Sequence, residues 1–160
     1  GIVIISYELF ASLAKEEKGG NGGKADTTKL TAHELLCSVG PDVLICDEGH
    51  RLKNTKRKAY LTLNQVRTCR RIILTGTPIQ NNLKELHCLM HFVRPHILNN
   101  PTRFKNQFTE IIEAGQSKDS NILEIKRCKQ RMALLHKHLE FLIHRRDSDL
   151  LSSQLPSKYE

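Results

Sequence analysis

A parallel α/β sheet with flanking helices is the fold class that these 160 residues predict. Three observations predict it. Short, uniformly apolar runs recur at "GIVIIS", "DVLIC" and "RIILT". Stretches with helical spacing separate and follow them, so the order is strand, helix, strand, helix, strand, helix. Each run lacks the alternation of a strand with one wet face, as strands covered on both faces should.

Taken in order, "GIVIIS" reads as a buried strand ending at Ser6. "SYELFASLAKEE" has helical spacing at Leu9, Leu13 and Ala14, and "KGGNGGKADTTK" reads as a glycine-rich loop. "TAHELLCSVG" opens on Thr31 with Glu34 one turn later, a capping box, and stops near Gly40 before Pro41. "DVLIC" is the second strand. "RLKN" turns the chain, and Thr55 is placed to cap a helix carrying Ala59, Tyr60, Leu63 and Val66. "RIILT" is the third strand, "GTPIQNN" a loop, and a helix follows from about Asn82 to Val93. Pro95 and Pro101 bracket another loop, and a short helix is expected around Phe104 and Phe108. A long helix begins near Ser120, with Ile122, Ile125, Met132, Leu135, Leu139 and Leu142 as one apolar stripe. Lys126, Arg127, Lys129, Arg131 and Lys137 lie off that stripe.

The composition narrows the partners. Hydrophobic residues make up 39% of the chain, enough for a core. A formal net charge of +8 favours nucleic acid or another polyanion, with an ordinary solvated basic surface as the alternative. The five cysteines form no C-x-x-C pair, which argues against a disulfide framework or a zinc site and for reduced thiols in cytosol or nucleus. No apolar run approaches the roughly 18 residues of a membrane-spanning helix, so no membrane partner is expected. No signal peptide is visible. The chain starts inside an apparent strand and is expected to be a piece of a longer protein.

In open α/β sheets, ligands bind beyond the carboxyl ends of the strands. Two polar clusters fall there. Asp47, Glu48, Gly49 and His50 follow "DVLIC", and "TGTPIQNN" follows "RIIL". One helix joins these strands, so they can be neighbours and both clusters can face one crevice. Adjacent carboxylates at such a rim suit nucleotide hydrolysis. The first can hold Mg2+ through water, because Mg2+ dehydrates reluctantly. The second can orient or deprotonate the attacking water. A polar turn closing a strand is the ordinary alternative.

"DEGH" with "RLKN", followed by "RIILTGTPIQNNLKELHCLMHFVRP", closely resembles the SNF2-type ATPases of helicase superfamily 2. "DEGH" matches their motif II and "LTGTPIQNN" their motif III. "IISYELF" is similar to the segment preceding motif II, and "FLIHRRDSDLLSSQLPSKYE" to the family's paired-arginine stretch. "GPDVLICDEGH", "RRIILTGTP" and "EAGQSKDSN" look most like the ATRX and ARIP4 branch, to which the Rad54 proteins are related.

The resemblance implies a partial RecA-like lobe over residues 1–95 and a mostly helical extension over 96–160, leading toward a second lobe of the same chain. It implies ATP and Mg2+ as cofactors, double-stranded DNA and chromatin as partners, and a nuclear protein. Asp47 would hold Mg2+ through a water, Glu48 would position the hydrolytic water, and His50 would couple the nucleotide site to motif III. Thr75, Gly76, Thr77 and Gln80 would relay between ATP and DNA or between lobes. Arg145 and Arg146 match the paired arginines, but Asp147 and Ser148 stand where a threonine and lysine usually follow. These residues contain no G-x-x-x-x-G-K-[ST] loop, so this stretch alone is expected to hydrolyse no ATP.

Other readings stand beside these. The i, i+4 spacing of His87 and His91 could chelate a metal, but a helix partly at the surface is preferred. His136 and His138 fall on different faces of their helix. The basic residues of the long helix could meet DNA phosphates or simply face solvent. "RLKNTKRK" could be an import signal or a structural or DNA-facing segment. The rival from another class is a catalytically inactive scaffold that keeps the fold and binds chromatin or DNA passively. An RNA-directed helicase is disfavoured by "TGTPIQNN".

Overall fold

The computed structural model describes residues 1–14, 31–76 and 82–146. The glycine-rich stretch, the motif III residues Thr77 to Asn81 and the stretch from Asp147 onward lie outside the described residues. The chain forms two compact units, Gly1–Phe104 and Lys105–Glu160.

The first unit is built around two short parallel strands. β1 (Leu44–Cys46) pairs with β2 (Arg71–Ile73) in the register Leu44↔Arg71, Ile45↔Ile72, Cys46↔Ile73. A third strand was expected at "GIVIIS". Residues 1–6 are instead irregular, and Ile2, Val3 and Ile4 are exposed. Their composition suits a strand, but a strand needs a neighbour to take its backbone hydrogen bonds, and none of the described residues supplies one. The expectation that both sheet faces are covered also needs correction. Val43, Ile45, Ile72 and Leu74 share one face and are exposed, while Cys46 on the other face is buried.

α1 (Tyr7–Leu13) is capped by Ser6, whose Oγ accepts from the Leu9 N–H at 3.2 Å. It buries Phe10, Ala11 and Ala14 and leaves Leu9 and Leu13 exposed, against the stripe expected from spacing. The small side chains of Ala11 and Ala14 let α1 pack on α2 (Lys58–Leu63). The capping box at Thr31 is formed: the Thr31 N–H donates to Glu34 Oε2 at 2.7 Å and the Glu34 N–H to Thr31 Oγ1 at 3.2 Å. The helical turns it opens continue as a π-helical segment, Glu34–Val39, and end at Gly40 with φ 64°.

Thr55 does not cap α2. Asn54 turns the chain first, accepting the Lys56 N–H at 2.9 Å, and the helix starts only at Lys58. Tyr60, Leu63 and Val66 are buried as expected. α3 (Leu83–Val93) is capped by Asn82, whose side chain accepts from the Lys84 and Glu85 N–H groups. α3 is more deeply set than a partly surface helix. Leu86, His87, Cys88, Leu89, Met90 and Phe92 are all buried. His87 is a satisfied core histidine: its Nε2 lies 3.0 Å from the Asn99 carbonyl and its ring 4.8 Å from that of Phe104, at the end of α4 (Pro101–Phe104).

The second unit begins with a π-helical segment, Lys105–Thr109, followed by α5 (Glu110–Gln116) and α6 (Ile122–Leu139). A capping box at Asn121 and Glu124 starts α6. Of the expected stripe only Leu135 and Leu139 are buried, joined by Cys128; Ile122 and Met132 are exposed. α5 packs on α6 so closely that a Cβ on Gly115 would collide with Cys128 and the Glu124 carbonyl, and that approach centres the buried face on Cys128. Lys126, Arg127, Lys129 and Lys137 are exposed. Arg145 and Arg146, past the end of α6, are exposed too. All five cysteines are free thiols.

Candidate functional site

Parallel pairing brings the carboxyl ends of β1 and β2 side by side, and the polar clusters begin there. The ladder continues past the strands into the clusters. The Leu74 N–H donates to the Cys46 carbonyl at 2.9 Å, and the Gly49 N–H donates to the Leu74 carbonyl at 2.8 Å. The second bond joins the motif II turn directly to the residue before Thr75. Gly49 is buried against β2, and a Cβ there would collide with Ile73 Cγ2. Only glycine lets the turn approach this closely.

Asp47 and Glu48 are exposed at this edge. Asp47 Oδ1 accepts from the Glu48 N–H at 2.8 Å. Glu48 adopts the left-handed conformation at φ 49° and ψ 48°, which costs a non-glycine residue about 1–2 kcal/mol. Such strain gathers at functional sites when the surroundings enforce it. The 3₁₀ turn Gly49–Leu52 follows at once. His50, half-buried, places Nδ1 3.1 Å from Glu48 Oε2. Thr75 and Gly76 are exposed beside this turn; Thr77 and Gln80 lie outside the described residues.

Among the described residues no group of three or more His, Cys, Asp or Glu side chains could hold a metal ion. Mg2+ does not need such a cage, since it is commonly held by one or two carboxylates, waters and substrate phosphates. An exposed carboxylate at a strand end fits that chemistry, with Asp47 as the residue that would hold the ion through water.

Sequence reasoning missed several residues that shape the site. The Tyr7 hydroxyl donates to the Asp47 carbonyl at 2.6 Å. Arg51 stacks over the Tyr7 ring, 5.0 Å from its centroid, and pairs with Glu8. Cys88, from α3, donates its Sγ–H to the Leu52 carbonyl at 3.1 Å, holding the far end of the 3₁₀ turn. Burial pushes that thiol up to about 11. Lys53 reaches Glu85 on α3 at 3.1 Å.

The acidic turn and Leu74 to Gly76 meet at the carboxyl ends of a parallel strand pair, and the chain belongs to the SNF2-related domain family, whose model matches residues 1–160. Transcriptional regulator ATRX homolog of Drosophila melanogaster is 41% identical over 160 residues, which is 100% of this chain and 12% of that protein. Human transcriptional regulator ATRX is 38% identical over 160 residues, 100% of this chain and 6% of its own length. Mouse helicase ARIP4 is 43% identical over 180 residues, 100% of this chain and 12% of that protein. Among solved structures, the Sulfolobus solfataricus SWI2/SNF2 ATPase core in complex with dsDNA is similar over 65% of this chain and 20% of that one, at 28% identity and a TM-score of 0.48. The chain thus spans about 6–12% of the length of these curated relatives.

Proposed function

We propose that the chain is part of an ATP-driven motor that moves on double-stranded DNA in nuclear chromatin. Residues 1–95 are assigned to a RecA-like lobe carrying motifs II and III, and 96–160 to a helical extension toward a second lobe. The observation that carries this reading is the bond from the Gly49 N–H to the Leu74 carbonyl, 2.8 Å long. It ties the acidic turn to the start of motif III at one sheet edge, so a triphosphate seated there could be read by both. The net charge of +8 and membership of the SNF2-related family support a DNA partner.

Mg2+ supplies charge neutralisation of the phosphates when bound. Asp47 would hold it through water by the oxygen left free of the Glu48 N–H. Glu48 would orient the attacking water, and the His50 imidazole would set the direction of that carboxylate. Thr75, Gly76, Thr77 and Gln80 would pass nucleotide state to the DNA-facing parts, since in sequence they follow the Leu74 carbonyl that Gly49 holds. Opening and closing of two lobes would then step the protein along duplex DNA, a two-state cycle set by γ-phosphate contacts.

Phosphate release by the whole protein, measured with Mg-ATP in the presence and absence of duplex DNA, tests this. DNA-stimulated release is expected. No release above background, with DNA binding retained, would instead identify a passive chromatin-binding scaffold.

A further inference from the structure

The peptide group between the two acids is held at both ends. Its carbonyl accepts from the Tyr7 hydroxyl at 2.6 Å, and its N–H donates to Asp47 Oδ1 at 2.8 Å. A fixed peptide plane fixes the directions in which both carboxylates leave the backbone. The restraint acts against a real tendency, because Glu48 is left-handed at φ 49°. Without it, rotation toward an ordinary backbone conformation would swing the Glu48 carboxylate off its line.

The tyrosine is itself fixed. Its ring lies 5.0 Å from the Arg51 guanidinium carbon, and Arg51 pairs with Glu8, the next residue of α1. Arg51 belongs to the 3₁₀ turn just after the acids. Each segment therefore offers the other a matched set: a hydroxyl and a carboxylate from α1, a carbonyl and a guanidinium from the turn. The Glu8 carboxyl is held below its ordinary range by its own backbone N–H and by Arg51, so it stays ionised.

A contact serving only to dock α1 could use ring stacking and the ion pair alone. It would not require a hydroxyl aimed at the one carbonyl that separates the acids. We propose that Tyr7 is a positioning residue of the hydrolytic site: its hydroxyl sets the Asp47–Glu48 peptide plane and so aims the Glu48 carboxylate, while Arg51 and Glu8 hold the ring. The assignment rests on the proposed role of Glu48.

Tyr7→Phe in the whole protein keeps the ring and its stacking and removes only the hydroxyl. Steady-state hydrolysis at saturating duplex DNA should show kcat reduced about tenfold, as for other orienting partners outside the reacting groups. KM for Mg-ATP should stay within about twofold, because the interaction serves the transition state rather than ground-state binding. Glu8→Gln, which loosens Arg51, should give the same split at roughly two- to threefold. Thermal melting measured on each variant reports folding separately. A wild-type kcat in Tyr7→Phe, or a loss matched by a rise in KM or by a loss of folded protein, would overturn the assignment. If wild-type protein hydrolyses ATP and Glu48→Gln abolishes this while Tyr7→Phe does nothing, the positioning role alone fails. If the wild type is inert, or Glu48→Gln turns over normally, the motor reading fails and takes the assignment with it.

Discussion

The two ends of the β1–β2 pair are built differently. At the amino end, Arg71 is a knot of hydrogen bonds. Its Nε donates to the Thr68 carbonyl at 3.0 Å, Nη1 to Asn64 Oδ1 at 2.7 Å and the Phe92 carbonyl at 3.1 Å, and Nη2 to the Val66 carbonyl at 2.9 Å. The guanidinium also lies over the Phe92 ring, 4.8 Å from its centroid. These described partners are backbone carbonyls and an amide rather than an acid, and they cluster just beyond α2 and at the last turn of α3, where helix dipoles favour a cation. At the carboxyl end, the acids, Thr75 and Gly76 are exposed and Glu48 is strained. One end holds the strands to the helices, and the other is left exposed, at a cost in stability. A site can be strained only where its support is over-determined.

The contrast can be broken from either end. The largest effect is expected from Glu48→Gln in the whole protein, which removes the charge proposed to orient the attacking water and changes little else. ATP turnover should fall by about 10²–10⁴-fold, while binding of a fluorescent ATP analogue is retained. Arg71→Met should leave the carbonyls at the amino end without their donor. A loss of about 2–3 kcal/mol is expected in urea unfolding, since bonds to charged groups exceed neutral ones. An Arg71→Met protein as stable as wild type would show that this end is not the anchor.

Glu48→Gly should move the other way. Glycine accepts φ 49° freely, so a stability gain of about 1 kcal/mol is expected in the same unfolding assay, together with loss of hydrolysis. A destabilised Glu48→Gly would mean the turn is held by the glutamate side chain rather than strained by its backbone.

The smallest effect concerns His91, whose Nδ1 lies 3.2 Å from the Tyr60 hydroxyl, between the rings of His87 and His96 and near Arg71. Burial first, then His87, His96 and Arg71, lower its pKa below the ordinary 6.5. The unfolded chain therefore takes up a proton before the folded one does, so stability is full above pH 6.5 and is lost as pH falls from there toward the lowered folded value. His91→Gln should flatten that acid limb in pH-dependent melting, and an unchanged limb would exclude His91 as its source.

Much of this architecture was legible. Paired β-branched runs gave both observed strands and their parallel order, and Thr31 with Glu34 and Asn82 announced helix starts, because their side chains satisfy free backbone N–H groups locally. What failed was non-local. "GIVIIS" has the composition of a strand but no described neighbour to pair with. Phe10 rather than Leu9 faces inward, and Cys128 rather than Ile122, because the packing partner chooses among several apolar faces. At the site, the clusters at the strand ends were readable from residue type and spacing. The Tyr7 tie and the Gly49–Leu74 bond were not, because both end on backbone carbonyls, which every residue carries.

The central claim is that the acidic turn and the motif III strand end serve one triphosphate. A crystal structure of the whole protein with Mg2+ and a non-hydrolysable ATP analogue tests it most directly. The account predicts a Mg2+-bound water against the Asp47 carboxylate, with the γ-phosphate lying between Glu48 and Thr75. A nucleotide bound away from this edge, with both acids facing bulk water, would contradict it.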